Sequence, residues 1–120
     1  MKICVIPLRL PGLNEYINAC RTSPYKGAKM KAEAEEGIAL YVKKLLPIEK
    51  PVSINFVWQE QNMRRDPDNI ASAKKFILDT MVKTGRLPND NWKYIKGLSD
   101  EFVVGPEYKV TLEIRENDRA

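Results

Sequence analysis

The feature that most constrains this chain is a change of hydrophobic period near its centre. Across residues 52–58 apolar side chains occupy every second position, which predicts a half-buried strand. Across residues 69–83 they recur at helical spacing, which predicts an amphipathic helix. Residues 64–69, with the sequence Arg-Arg-Asp-Pro-Asp-Asn, lie between these two elements. The chain must therefore turn from strand to helix within a short polar segment.

The remaining periodicities predict a small α/β (α+β) domain. Residues 28–46 have apolar side chains at helical spacing, whereas residues 11–27 contain two prolines and two glycines and predict an extended loop. Gly85 is predicted to cap the second helix at its C-terminal end. Further strands are predicted at residues 2–8, 92–98, 102–104 and 108–115. The expected architecture is one domain over residues 1–120, with two main helices packed on a single mixed β-sheet in the approximate order βαβαββ.

Composition excludes several classes of protein. The chain has 120 residues, a net charge of +4 and no histidine. An imidazole base is therefore excluded, and any hydrolysis must use a carboxylate, a lysine or metal-bound water. Cys4 and Cys20 lack the spacing of a zinc site, which favours a reduced, cytoplasmic chain. No stretch predicts a signal peptide or a membrane span. The positive charge suits nucleic acid without proving that it binds.

Acidic residues at and after the strand-to-helix turn predict a site for Mg²⁺. Asp66 and Asp68 flank Pro67, and Asp90 follows the predicted helix in a turn. Hard divalent cations prefer carboxylate oxygens, so the three aspartates can hold one or two Mg²⁺ ions against a scissile phosphate. This requires the chain to fold back after the helix, or a second subunit to supply the partner carboxylate. Lys75, on the helix, can then stabilise charge that develops on the phosphate.

Basic and amide side chains near these acids predict contacts with DNA. Arg64 and Arg65 carry the planar guanidinium that binds phosphate. In the predicted loop, Asn14, Arg21 and Lys26 can contact a nucleic-acid backbone, and a solvated surface loop accounts for each of them equally well. Together with the net charge and the acidic residues, this set indicates a nuclease.

Each of these acidic and basic motifs also has a purely structural interpretation. Asp68 or Asn69 can cap the following helix. Lys75 can pair with Asp79 on the helix surface, and the residues around Asp90 can form an ordinary turn. A calcium-binding EF-hand loop is excluded, because its glycine and glutamate positions hold alanine and isoleucine here. Neither GxxxxGK[ST] nor GxGxxG occurs, so no nucleotide cofactor is expected.

In their order along the chain, these motifs resemble the RusA family of Holliday-junction resolvases (crossover junction endodeoxyribonucleases) of bacteria and phages. The resemblance extends over nearly the whole chain. It rests on the segment Arg65-Asp66-Pro67-Asp68-Asn69, the helical pair Lys75 and Asp79, Asp90 in its turn, and a proline-asparagine-aromatic segment at residues 11–16.

The resemblance implies an activity, a cofactor and a partner. Members of the family are small Mg²⁺-dependent endonucleases that act as homodimers and introduce paired, symmetrical nicks in four-way DNA during recombination and repair. The resemblance implies that Asp66, Asp68 and Asp90 are catalytic, metal-binding aspartates and that Lys75 is the catalytic lysine. A homodimer also agrees with symmetry, because a two-fold dimer presents identical sites to two opposing strands of a junction.

Two departures from the family and one alternative function stay open from the sequence. Asn89 stands where the family often has a second acidic residue. The stretch between Asn69 and Lys75 is slightly longer than in some members, so Lys74, which falls near the apolar stripe of the helix, competes with Lys75 for the catalytic role. The alternative function is a non-catalytic, basic DNA-binding module in which the aspartates serve only as helix caps and turn residues.

Overall fold

The fold is built on a four-stranded mixed sheet with helices on one face. A computed structural model describes residues 1–117, so residues 118–120 of the predicted domain lie outside the described residues. The strands are β1 (Lys2–Ile6), β2 (Val52–Glu60), β3 (Ile95–Val104) and β4 (Lys109–Glu116), and the helices are α1 (Leu13–Thr22), α2 (Pro24–Val42), α3 (Pro67–Ala71) and α4 (Lys74–Lys83).

Strand β2 lies inside the sheet and organises it. The strand order is β1-β4-β2-β3, and β2 runs antiparallel to β4 and parallel to β3. Parallel neighbours need a crossover connection, which here consists of α3, α4 and the turn that follows them. The predicted single mixed sheet with helices packed on it is therefore confirmed.

Alternation along the strands places one face of the sheet against the helices. Every second residue of β2 is buried, from Val52 to Glu60. The helices contribute their apolar stripes to the same core, which includes Ala34, Ile38 and Val42 of α2 and Phe76, Ile77 and Met81 of α4. Within residues 1–117, no helix is long and apolar enough to cross a bilayer.

The prediction of an extended loop at residues 11–27 is wrong, because most of this segment is helical. Every residue of α1 is at least partly exposed, so α1 lacks the buried stripe that a periodicity search detects. Its start is stabilised by Glu15, whose Oε1 accepts the Gly12 backbone N–H at 3.3 Å. Pro24 does not interrupt a helix but begins one, because Ser23 Oγ accepts a backbone N–H from the first turn of α2 at 3.0 Å.

Two further elements differ from prediction for local reasons. The single helix predicted at residues 69–83 is divided into α3 and α4 by a turn around Ser72. Ser72 Oγ donates to the Asn69 carbonyl at 2.8 Å, a local bond that competes with the regular helical ladder. The two short strands predicted at residues 92–98 and 102–104 form one strand, β3, which pairs with β2 along its length. The observed order is therefore βααβααββ.

The predicted C-terminal cap at Gly85 is confirmed. Gly85 has a φ of +72°, in the left-handed region. Its N–H donates to the Val82 carbonyl at 3.1 Å, and the Arg86 N–H donates to the Met81 carbonyl at 2.9 Å, which together form a Schellman motif. The Arg86 carbonyl then accepts the Ile48 N–H at 2.8 Å. The end of α4 is thereby tied to the segment that follows α2.

We expect Gly85→Ala to lower the free energy of unfolding by about 1 kcal/mol, because a Cβ disfavours left-handed backbone. The space around Gly85 is open to a distance of 4 Å, so steric contact adds nothing to this effect. Chemical denaturation measures the change. Gly85→Asn is the matched control, which should lose less stability because asparagine tolerates this conformation better. Equal losses for the two variants would contradict the conformational explanation.

Candidate functional site

A largely buried ion pair fixes the corner between β2 and α3. Glu60 ends β2 on its core face, and Arg65 folds back onto it. Arg65 Nε and Nη2 donate to the two carboxylate oxygens of Glu60, each at 2.8 Å. Arg65 Nη1 also donates to the Leu10 carbonyl at 2.9 Å and lies 3.4 Å from Glu15 Oε1. One guanidinium therefore joins the end of β2, the corner and the segment around the start of α1.

These contacts give Arg65 a structural role. Only 13% of its side chain is exposed, and its three nitrogens donate to protein groups. Its predicted contact with a DNA phosphate stays a prediction. Arg64 is exposed, and its backbone N–H donates to Asn62 Oδ1 at 3.0 Å. Of the two adjacent arginines, Arg64 is therefore the more accessible to a phosphate group.

The corner presents two carboxylates to solvent. Asp66 and Asp68 are both exposed. Asp66 occupies the N-cap position of α3, but its side chain makes no capping hydrogen bond. Asp68 Oδ1 accepts the backbone N–H of the next residue, Asn69, at 2.9 Å, which is not an N-cap contact. Within the described chain, neither aspartate forms the helix-capping bond that the plainer interpretation requires.

The two carboxylates open onto adjoining recesses against β3. Asp66 lines one recess and Asp68 lines the other, while Pro67 and Phe102 line both. The recess that contains Asp68 is also lined by Lys74. Asp68 and Lys74 therefore border the same depression of the surface.

Asn69 anchors the start of α1 to the corner. Its Oδ1 accepts the Asn14 backbone N–H at 2.9 Å. Gly12 lies so close that a Cβ there would be 2.7 Å from Asn69 Oδ1, so a larger residue at this position would displace the Asn69 side chain. Of the predicted DNA-binding residues of this segment, Asn14 thus lies at the corner. Arg21 and Lys26 lie at the junction of α1 and α2, and all three are exposed.

Lys75 and Asp90 belong to a charged network that also involves α2. Lys75 Nζ lies 2.9 Å from Asp79 Oδ1 and 3.8 Å from Asp90 Oδ2. The other oxygen of Asp79 lies 3.6 Å from Lys31 Nζ on α2. The hydrogen bond to Asp79, together with the nearby negative charges, raises the pKa of Lys75. The helical pair of Lys75 and Asp79 that the sequence allowed is therefore formed.

The three predicted metal ligands do not form one group in this arrangement. Within residues 1–117, no three histidine, cysteine, aspartate or glutamate side chains are grouped so that they could hold a metal ion. Asp66 and Asp68 lie at the corner, whereas Asp90 contacts Lys75. The carboxylate donors suit Mg²⁺ in their chemistry but not in their present placement. A complete site requires Asp90 to approach the corner, or a carboxylate from a second subunit.

A second ion pair, which the sequence analysis missed, lies beside Asp68. Lys74 Nζ is 2.6 Å from Asp100 Oδ2, and Trp58 Nε1 donates to Asp100 Oδ1 at 2.8 Å. Lys74 Nζ also lies 5.4 Å from the centre of the Phe56 ring. The sequence contained a signal for this pair. Lys74 falls near the apolar stripe of a helix, and Asp100 falls among alternating apolar residues of a strand. Two opposite charges at such positions can neutralise each other.

Comparison with known proteins leaves the family of this chain open. No protein-family model matches the chain, and no curated protein matches it significantly. The resemblance to the RusA resolvases therefore rests on the motifs described above.

We expect Arg65→Gln to lower the free energy of unfolding by about 3 kcal/mol, because it leaves the buried Glu60 carboxylate without its ionic partner. Arg64→Gln removes the same charge from an exposed side chain and should change stability by less than about 0.5 kcal/mol. Urea denaturation of both variants at neutral pH measures the difference. If the two variants unfold at the same urea concentration, the structural role of Arg65 is wrong.

Proposed function

We propose that this protein is a Mg²⁺-dependent, structure-selective DNA endonuclease that resolves four-way junctions by paired, symmetrical nicks. This is the activity of the RusA-type resolvases that its motifs resemble. A cytoplasmic location is part of the proposal and agrees with two free cysteines, Cys4 and Cys20.

The observation that carries the proposal is that the carboxylates of Asp66 and Asp68 are exposed and do not cap a helix. Both are exposed at a corner that the Glu60–Arg65 ion pair holds in place. Neither carboxylate caps a helix within the described residues, so a role as a helix cap does not account for them. Two solvent-facing acids on a rigid corner of a basic chain are suited to an ion that contacts phosphate.

Mg²⁺ is the proposed cofactor because the chain offers carboxylates and contains no histidine. If Asp66 and Asp68 held such an ion together with Asp90 or a carboxylate of a second subunit, it would supply Lewis-acid activation of a phosphodiester and of a water nucleophile. The chain's own contribution is to hold Asp66 and Asp68 at the corner and to place cationic side chains nearby. Arg64 is the exposed arginine in this region, and we propose that it binds a flanking phosphate.

The alternative is a non-catalytic DNA-binding module, and one observation favours it. Asp90 lies 3.8 Å from Lys75 and is not grouped with the other two aspartates, so in this arrangement it acts as an ion-pair partner in a turn. Both functions predict affinity that falls steeply with salt, because phosphate neutralisation releases counterions. Only a cleavage assay separates them.

We further propose that the protein acts as a homodimer. Paired nicks in opposing strands require two active sites, and the described chain contains one set of these aspartates. Within residues 1–117, β3 pairs only with β2, so its outer edge is open. Several large apolar side chains of β3 are exposed, namely Leu98, Phe102, Val103 and Val104. An open edge with exposed apolar residues is a common site of chain pairing.

In the test of cleavage, a synthetic four-way junction and a matched linear duplex are incubated with the protein, with and without Mg²⁺. We expect paired nicks in the junction alone, and only with metal. Asp68→Asn should slow cleavage at least about a hundredfold, because removing a metal ligand sacrifices several kcal/mol of transition-state stabilisation.

The matched control is Glu33→Gln, which removes a negative charge from an exposed residue of α2 that lies 4.0 Å from Lys29. It should cleave at the wild-type rate. Cleavage by Asp68→Asn at the wild-type rate would contradict the role of Asp68. Junction binding without cleavage in any divalent ion would instead favour the DNA-binding module.

Sedimentation equilibrium tests the dimer. We expect a species of twice the monomer mass at micromolar concentration without DNA, and we expect Val103→Lys to shift it toward monomer by placing a charge on the open strand. Lys2→Gln, at the opposite edge of the sheet, is the control and should leave the mass unchanged. A monomer at every concentration would contradict the proposed dimer.

A further inference from the structure

The most exposed large apolar side chain of residues 1–117 is that of a tryptophan, Trp92, which is 93% exposed. Within these residues its ring contacts no other aromatic ring, and its indole N–H makes no hydrogen bond. Trp58, in contrast, is buried and donates to Asp100. Because the Trp92 indole carries a large apolar surface, a partner that covers it removes that surface from water.

A hydrogen-bonded turn supports Trp92 where α4 leads into β3. Asn91 Oδ1 accepts the Lys93 N–H at 3.1 Å, and the Asn91 carbonyl accepts the Tyr94 N–H, also at 3.1 Å. The Tyr94 carbonyl accepts the Val52 N–H at 2.7 Å, which ties the turn to the start of β2. The backbone that carries the indole ring is therefore held in place, so little backbone entropy is lost when the ring binds a partner.

The ring borders an open recess that is partly apolar. Leu98, Asp90 and Lys96 also line this recess. Leu98 is 44% exposed, so the apolar surface around Trp92 extends beyond a single residue. Since like charges repel, the Asp90 carboxylate makes the recess a poor site for a bare phosphate, whereas a neutral planar ring is tolerated there.

Two lysines close to Trp92 in the chain provide positive charge for a polyanion. Lys93 follows Trp92 directly, Lys96 lines the recess, and both side chains are exposed. Within residues 1–117 neither ammonium group has an ion-pair or hydrogen-bond partner, although that of Lys93 lies 5.4 Å from the centre of the Tyr94 ring. Proteins bind unstacked nucleobases with this combination, in which an aromatic ring covers the base and cations contact the backbone.

We propose that Trp92 stacks on an unstacked base at the branch point of four-way DNA, while Lys93 and Lys96 bind the adjacent phosphates. This proposal rests on branched DNA as the partner, which is part of the proposed function. A base inside a linear duplex is covered on both faces by its neighbours, whereas a branch point interrupts the stack. Trp92 is therefore a residue that determines specificity for the junction and takes no part in the hydrolysis itself.

The first test measures affinity for a four-way junction and for a linear duplex of the same sequence, without divalent metal so that no strand is cut. Trp92→Ala should weaken junction binding about tenfold, the usual effect of losing one base stack, and should change duplex binding less than about twofold. Trp92→Phe keeps a ring and should lose less affinity. Leu40→Ala truncates an exposed apolar side chain of α2 and, as the control, should bind both DNAs as the wild type does.

A lysine variant separates the effect of the ring from the effect of charge. Lys96→Gln should weaken binding to the junction and to the duplex alike. It should also reduce the slope of log affinity against log salt by about 1, because one phosphate contact is lost. Trp92→Ala should leave this slope unchanged, since the indole carries no charge.

Tryptophan emission tests the stacking directly, because a base that stacks on an indole quenches its fluorescence. Trp92→Ala retains Trp58, so the difference between its emission and that of the wild type is the emission of Trp92. We expect the junction to quench this emission strongly and the linear duplex to leave it nearly unchanged.

Each outcome decides the proposal. Wild-type junction affinity in Trp92→Ala overturns it, and so does Trp92 emission that the junction leaves unquenched. Blue-shifted Trp92 emission in the free protein, together with a Trp92→Ala variant that no longer dimerises, also overturns it, because a second copy of the chain would then cover the ring.

Failure of the stacking is distinguishable from failure of the proposed function. Quenching by a junction that the wild type does not cleave with Mg²⁺ would contradict the endonuclease and support the stacking. Cleavage by the wild type, with unchanged junction affinity in Trp92→Ala, would overturn the stacking alone. A wild type that binds neither DNA would overturn both.

Discussion

The ion pair between Glu60 and Arg65 is the interaction on which the geometry of the candidate site depends. It lies where the central strand β2 ends, and the removal of either partner leaves a charge in a place from which water is largely excluded. Because the same guanidinium donates to the Leu10 carbonyl, it also fixes the segment before α1 relative to the corner. Asp66 and Asp68 follow directly, so this ion pair contributes to their backbone positions, together with the hydrogen bonds that their own carbonyls accept from Ile70 and Ser72.

Helix α4 separates two sets of charges that are close in sequence. Lys74 pairs with Asp100 on β3, whereas Lys75 pairs with Asp79 and approaches Asp90. Successive residues of a helix point about 100° apart, so a shift of one residue moves a lysine from one set to the other. Spacing along the chain could not choose between the two lysines.

Elements with a strong hydrophobic period were predictable, and elements without one were not. The alternation in β2 and the apolar stripe of α2 identified the centre of the fold, and Gly85 identified the end of α4. Helix α1 was missed because it is stabilised by Glu15 and by contacts with α2 rather than by a buried stripe of its own. The role of Arg65 was also missed, since an arginine that binds a buried glutamate has the same sequence signature as one that binds phosphate.

The sequence by itself determined the mixed α+β architecture, the strand-to-helix corner and the residue types available for chemistry there, because hydrophobic periods and the absence of histidine can be read without coordinates. Only the tertiary structure decided which charges meet. It paired Arg65 with Glu60 and Lys74 with Asp100, and it placed Asp90 beside Lys75 rather than beside Asp66 and Asp68. The physical reason is that ion pairs depend on distances across the sheet and between helices, which are set by packing of the whole core and leave no periodic trace in the sequence.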